Sequence, residues 1–352
     1  MKYLYSVVSA AAAAFLLLSP QTASESVKSA VTNCLEVIIP SLFAFTVLSV
    51  FLTESGLYRT VLRPLAFPLS RLLRTDEEIC GIFLLSNIGG YPVGAKLVSG
   101  MLESGRISRS SAARMMCFCY GSGPSFIVGI AGVRVFGSAA AGLALYAACF
   151  LGSLANFIIV RSRGEINVSP AETGTGVTAA CFIDSVISAA KVMFTVCVMI
   201  TAFSVISAML GAVRADDLFS ALLSFTGELS DGIFPALLEV SRLGELPPAA
   251  GAFPLCAALL SFGGVCVILQ VAAISRVIPL GKFLLSRISA AAVSTAAAIP
   301  LSFLIPPSDA AVIAAAVNEQ SFSRNIPASL CIVAMTAILL AGEKAAQKNT
   351  RR

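Results

Sequence analysis

The chain has 352 residues, of which 57% are hydrophobic and only 12% charged. Soluble domains carry about 25% charged residues, and a chain of this size has too little interior to hide so much apolar surface from water. A polytopic membrane protein is therefore expected. The sequence has no histidine, which removes His-based acid–base, nucleophilic and metal-ligating chemistry. The net charge of +5, from 24 basic and 19 acidic residues, reads loop by loop as topology and not as a nucleic-acid patch.

The apolar residues fall in blocks of about 15–30, the length of spanning helices. The ten-residue alternating strands of a membrane β-barrel are missing, so the expected class is all-α. Residues 1–24 carry Lys2, an apolar run from Leu4 to Leu18 and small residues after it. This pattern fits a signal-like segment or a first membrane helix. The uncleaved helix is preferred, because the next segment then orients sensibly. The block Ala30–Leu52 follows and holds Glu36 and Pro40. Thr53–Glu78 carries Arg59, Arg63, Arg71 and Arg74 among apolar residues such as Val61, Leu65 and Leu72. It reads as an amphipathic segment in the interface, and its arginines place it on the cytoplasmic side.

Ile79–Glu103 contains Gly89-Gly-Tyr-Pro-Val-Gly94. Three glycines and a proline within six residues would leave backbone groups unpaired at the centre of a span, which lipid does not tolerate. A re-entrant hairpin keeps Arg106, Arg109 and Arg114 inside, as positive-inside bias requires. Ser110–Phe136 is broken at Gly121-Ser-Gly-Pro124, and Ser138–Val160 is an unbroken span. Residues 163–178 are polar and rich in Gly, Thr and Ser, and are expected to form a cytoplasmic linker.

The second half runs in the same order. Ala179–Val213 is a span that leads to the acidic stretch Asp216–Asp231. A shorter interrupted segment covers Gly232–Gly251. Ala252–Ser275 is broken at Ser261-Phe-Gly-Gly264, and a span runs from about Lys282 to Ile305. Residues 307–325 are a loop or partial re-entry, 326–342 a last span and 343–352 a basic cytoplasmic tail. Both termini come out cytoplasmic in the cell membrane.

Three motif pairs match between the halves: Ser26–Ala30 with Ser185–Ala189, Gly81-Ile-Phe83 with Gly232-Ile-Phe234, and Gly121–Pro124 with Phe262–Val265. By charge the first half begins outside and the second begins inside. Residues 25–162 and 179–306 therefore read as two inverted repeats, the organisation of many secondary transporters, whose paired broken segments meet near the midplane.

The ten cysteines are scattered. The one close pair, Cys117-Phe-Cys119, lacks metal-site spacing, so buried thiols are expected, with no metal and no cofactor. No catalytic residue is assigned, and an intramembrane enzyme is disfavoured. Half-helix N-termini at the breaks favour an anionic substrate, and a lysine inside an apolar hairpin is a functional candidate. The candidate substrate-binding residues are Ser86, Asn87, Gly89, Gly90, Tyr91, Gly94 and Lys96 in the first hairpin, and Ser122, Gly123 and Ser125 at the first break. Glu239, Ser241, Gly263, Gly264 and Gln270 complete the set in the second half. Lys96 is expected to pair with a substrate carboxylate or with Glu239, unless it snorkels to the interface. For Glu239 the plainer reading is a salt bridge with Arg242. Lys191 and Arg134 are expected near span ends, snorkelling.

Several runs carry a resemblance: Pro40-Ser-Leu-Phe43, Gly89-Gly-Tyr-Pro-Val-Gly-Ala-Lys96, Gly121-Ser-Gly-Pro-Ser-Phe126, Leu238-Glu-Val-Ser241, and Ser261-Phe-Gly-Gly264 with Gln270. With these the chain resembles the nucleoside-recognition (Gate) family, and within it the sporulation integral membrane proteins of spore-forming Firmicutes. The resemblance implies a fold similar to concentrative nucleoside transporters, with two re-entrant hairpins and two broken helices. It also implies transport of dipicolinic acid during spore formation. The second interrupted segment is shorter than the first, and Arg242 stands where a small residue is expected. The shorter segment implies a stunted second hairpin, and both departures bear on the second half of the binding site. A non-transporting sporulation scaffold and a nucleoside transporter are the alternatives. The expected partners are a small-molecule substrate and the lipid bilayer, with a homo-oligomer left open and no nucleic acid.

Overall fold

The computed structural model describes residues 2–169, 177–247, 249, 251–275 and 277–303. The expected loop 307–325, last span 326–342 and tail 343–352 lie outside the described residues, as do residues 170–176 of the linker. Every described element is helical. Five helices are long and apolar enough to cross a membrane: Pro20–Glu54, Ala139–Ser162, Ala179–Ala212, Ala252–Ile274 and Leu280–Ser302.

Helix α1 (Lys2–Leu18) ends where Pro20 opens α2 (Pro20–Asn33). Proline fits a first helical turn and pushes the residue before it out of helical geometry. Helix α2 continues through a π-helical turn, Cys34–Ile38, into α3 (Ile39–Glu54). That wider turn sits just ahead of Pro40, which cannot donate a helical hydrogen bond. The span is thus longer than the apolar block Ala30–Leu52, because α2 carries polar residues that face a cavity described below. Short helices α4 (Tyr58–Val61) and α5 (Arg63–Leu73) follow. In α5 Leu65 and Leu72 are exposed while Ala66 and Ser70 face inward, as an interfacial helix requires.

Helices α6 (Glu77–Gly89) and α7 (Tyr91–Glu103) fold back on each other at Gly90, whose φ is 86°. Each arm has 13 residues, roughly 20 Å of helix, which is short of the ~30 Å bilayer core. Asp76 caps α6 through the Glu78 amide at 2.7 Å, with Glu77 and Glu78 in its first turn, the favourable end for acidic residues. The open ends of the hairpin are clasped. Glu78 accepts from Arg106 at 2.5 Å and Arg59 at 2.9 Å, and from the Tyr58 hydroxyl. Burial alone would raise the Glu78 carboxyl above its ordinary range, but these three donors hold it below.

Helix α8 (Arg109–Met115) then unwinds. The chain resumes as α9 (Pro124–Phe126), a π-helical stretch Ile127–Val135, and the span α10 (Ala139–Ser162). The second half comprises α11 (Ala179–Ala212), α12 (Ala215–Leu222), a 3-10 turn, α13 (Ser230–Leu238) and a second 3-10 turn, Val240–Glu245. Helices α14 (Ala252–Phe262), α15 (Gly264–Ile274) and α16 (Leu280–Ser302) complete it. The matched motifs occupy corresponding places. Ser26 and Ser185 each lie six residues after the first residue of their helix, Pro20 and Ala179, and Gly121–Pro124 and Phe262–Val265 each sit at a break. The second interrupted segment is one nine-residue helix with a single 3-10 turn in place of a second arm.

Helices α2–α3 and α11 run antiparallel along their whole length. Ser185 reaches Glu54 at one end (3.3 Å) and Ser204 reaches the Ser26 carbonyl at the other (3.1 Å). Helices α10, α14 and α16 pack around small residues and polar ties, the usual glue between spans. Asn156 donates to the Ser286 carbonyl at 2.6 Å, and Ser261 and Ser294 share a 2.6 Å bond. Phe83, Phe118 and Phe157 stack in the core, all fully buried.

Candidate functional site

Helix breaks leave backbone carbonyls without intrahelical partners, and inside a membrane each must find another donor. Here the donors are exchanged between the two halves. At the first break, the Cys117 and Tyr120 carbonyls accept from the guanidinium of Arg287 on α16, at 3.1 Å for Tyr120. Arg287 is completely buried. It also lies over the Tyr120 and Phe283 rings, 4.5 and 5.2 Å from their centroids, which gives the cation a second source of stabilisation. No ion pair among the described residues includes it.

At the second break the service runs the other way. The Leu260 carbonyl accepts from the Tyr91 hydroxyl of the first hairpin tip. Ser122 donates to the Tyr91 oxygen and sits 3.2 Å from the same carbonyl. The Tyr120 hydroxyl reaches the Phe262 carbonyl at 3.4 Å. Gly263 and Gly264 both adopt positive φ, 90° and 74°, which non-glycine residues rarely do.

The hairpin tips press against these breaks with glycine on backbone. A Cβ on Gly90 would lie 3.3 Å from the Gly123 amide, and one on Gly94 would fall on the Cys119 carbonyl. On the second side a Cβ on Gly264 would lie 3.2 Å from the Leu237 carbonyl and 3.3 Å from the Val240 amide. Ser86, Asn87, Gly89, Gly90, Tyr91, Gly94, Ser122, Gly123, Gly263 and Gly264 are therefore gathered into one buried centre. Ser86 and Asn87 donate to the Phe83 carbonyl at 2.8 and 2.9 Å. Ser125 is the second residue of α9, and its hydroxyl is buried without a partner among the described residues. Gln270 sits one turn along α15, bonded to Cys266 at 3.2 Å.

Two expected pairings, Lys96 with Glu239 and Glu239 with Arg242, are replaced by others in the structure. Lys96 meets Glu54, at 3.5 Å, and not Glu239, because it sits midway along α7 beside α3. Arg242 pairs with Glu245 and Ser207, which points it away from the tip. Glu239 instead caps its own 3-10 turn, accepting from the Ser241 amide at 2.9 Å and from the Ser241 hydroxyl. Arg134 lies exposed in the last turn of its π-helical stretch; it donates to Asn33 at 3.4 Å, and Asn33 donates to Ser241 at 3.3 Å. Arg287 escaped sequence reasoning because its position at the start of an apolar run reads as a topological charge. Phe283, one turn before it, was the available signal.

Two cavities flank the centre. One of about 570 Å³ lies at the Glu54–Ser185 end and is lined by Glu54, Arg59, Lys96, Ser104 and Arg106. The other, about 810 Å³, lies at the Ser26–Ser204 end and is lined by Lys28, Asn33, Glu36, Arg134, Glu239 and Ser241. Neither is lined by Asn87, Tyr91, Ser122 or Gly263.

Buried polar ties between long apolar helices, with short hairpin arms packed inside them, are what a bilayer imposes on a folded chain. This is a multi-pass membrane protein. The chain is 34% identical over 155 residues to the sporulation integral membrane protein YlbJ of Bacillus subtilis (strain 168). The match covers 43% of this chain and 37% of that protein's length. A homologue is thus a sporulation integral membrane protein. No family model matches the chain, and no solved structure matches it.

Proposed function

We propose that this protein is a sporulation-associated membrane transporter of a small anionic metabolite, such as dipicolinic acid, working by alternating access. The observation that carries the reading is a closed polar centre, built of two helix breaks and two tips, between cavities at opposite ends of the spans. Such paired breaks are where inverted-repeat transporters hold substrate. In this reading the α6–α7 hairpin re-enters from the cytoplasmic face and the two halves form an inverted repeat. The first cavity, rich in cations, is the cytoplasmic vestibule. The matched motif positions, the short clasped arms and the relative from spore formation support it. Substrate reaches the centre when a tip withdraws from its break and frees hydroxyls such as Ser122 and Ser125, with the half-helix N-termini of α7 and α9 favouring an anion. Glu239 and Ser241 border the opposite cavity and are proposed to receive substrate or a coupling proton there.

The test is uptake into proteoliposomes under defined ion gradients. Saturable dipicolinate uptake above empty vesicles is expected. Uridine uptake without dipicolinate uptake would make the protein a nucleoside transporter. No uptake of either, by protein shown to be inserted and folded, would leave the scaffold alternative.

A further inference from the structure

Among the described residues, the 570 Å³ cavity is lined by three cations, Lys96, Arg59 and Arg106, against one carboxylate, Glu54. Glu78 sits behind the wall and binds both arginines, which offsets one of their charges and leaves the wall net positive. Two observations show that these donors are not fully engaged. Lys96 Nζ stands 3.5 Å from Glu54 Oε1, well beyond the ~2.8 Å of a tight charge-assisted bond. The Nε of Arg106 is buried with no partner among the described residues, although buried donors are rarely left unmet. The side chains of Lys96 and Glu54 are about equally accessible, 33% and 32%, so a ligand in the cavity can reach both.

We infer that this cavity binds a small carboxylate anion through Lys96, with Arg59 and Arg106 completing the positive wall, and that Glu54 is its built-in competitor. The inference deepens the transport reading and rests on it. An arriving carboxylate takes Lys96 from Glu54, and Glu54 keeps the Ser185 hydroxyl of α11, 3.3 Å away. Lys96 rides on hairpin arm α7 and Glu54 on spanning helix α3. The exchange therefore replaces a tie between hairpin and span with a tie between hairpin and ligand. Loading the vestibule thus releases the middle of α7 from α3, while the hairpin tip stays packed on the first break.

A phospholipid headgroup offers the same negative charge, so the experiment separates the two sources. The full chain in phosphatidylcholine nanodiscs is titrated calorimetrically with dipicolinate and, separately, with inorganic phosphate. Wild-type protein is expected to bind dipicolinate. Lys96→Ala should weaken binding about tenfold, and Lys96→Arg should largely restore it. Glu54→Gln, which removes the competitor, should tighten binding about threefold. This gain cannot come from misfolding. Unchanged affinity in both Lys96→Ala and Glu54→Gln overturns the inference. Phosphatidylglycerol retained by the wild type and lost in Lys96→Ala, with dipicolinate affinity the same in both, assigns the cavity to a headgroup and overturns it as well. Uptake that proceeds normally in variants with unaltered binding would sink this site and leave the transport reading standing. Binding without uptake would do the reverse.

Discussion

The two helix breaks are built to the same plan and held by different forces. The first, between α8 and α9, is held by a buried cation: Arg287 reaches across from α16 to the Cys117 and Tyr120 carbonyls. The second, at Gly263-Gly264, is held by neutral hydroxyls from Tyr91, Ser122 and Tyr120. A guanidinium removed from water makes moving its partners costly, because an unpaired buried charge is worth several kcal/mol. A neutral hydrogen bond contributes only ~1 kcal/mol net. The tips differ in the same direction. The first tip is packed on all sides, while the second ends in Glu239 at the wall of the larger cavity. The contrast points to the second break and its tip as the part that moves, and to the first as the frame.

The comparison can be broken most severely at the first tip. Gly94→Ala would place a methyl on the Cys119 carbonyl oxygen, 2.9 Å from the Ser86 Cβ. A loss of about 3 kcal/mol is expected, read as a lower Tm in detergent with a thiol-reactive dye that reports buried cysteines. Gly100→Ala has nothing within 4 Å of the added methyl and should gain ~0.5–1 kcal/mol from helix propensity alone. If both substitutions behave alike, the packing account of the first tip fails. Next in size is Arg287→Leu, which strands two carbonyls and should cost roughly 2–4 kcal/mol. Arg287→Lys should recover only part of this, since one ammonium cannot fork to two carbonyls.

Much of this arrangement was legible in the sequence. Both breaks, the hairpin apex and the interfacial segment follow from glycine and proline placed inside apolar runs, because lipid forbids unpaired backbone outside a protein interior. The motif pairs at Ser26 and Ser185, and at Gly121 and Phe262, fall at like positions along their helices and breaks. What pairs with what was not legible. Lys96 with Glu54, Arg242 with Ser207 and Asn33 with Ser241 all join segments whose rotation about the helix axis decides the partner. Hydropathy carries no such information for helices that are apolar on every side. Arg287 was hidden for the same reason, since a charge near a span end looks the same whether it faces water or the core.

A smaller effect sharpens the contrast through pH. The Glu78 carboxyl is held below its ordinary value, so the clasp contributes in full above the ordinary glutamate range, about pH 4–5. It is lost as pH falls through the lower folded value. Thermal stability should therefore drop on acidification, and Glu78→Gln should flatten that dependence. An unchanged slope would remove the clasp from the account. The smallest expected effect is at the second break. Tyr91→Phe removes one hydroxyl and should cost ~1 kcal/mol, clearly less than Arg287→Leu. The reverse ranking would exchange the roles of frame and moving part.

The central claim is that the two cavities open on opposite faces of the membrane with a closed centre between them. The direct measurement is labelling by a membrane-impermeant thiol reagent, on oriented vesicles of a cysteine-free background, with single cysteines at Ser104 in the first cavity and Ser207 in the second. The account predicts that Ser104→Cys labels only from the cytoplasmic side and Ser207→Cys only from the other. Labelling of both from the same side would contradict it.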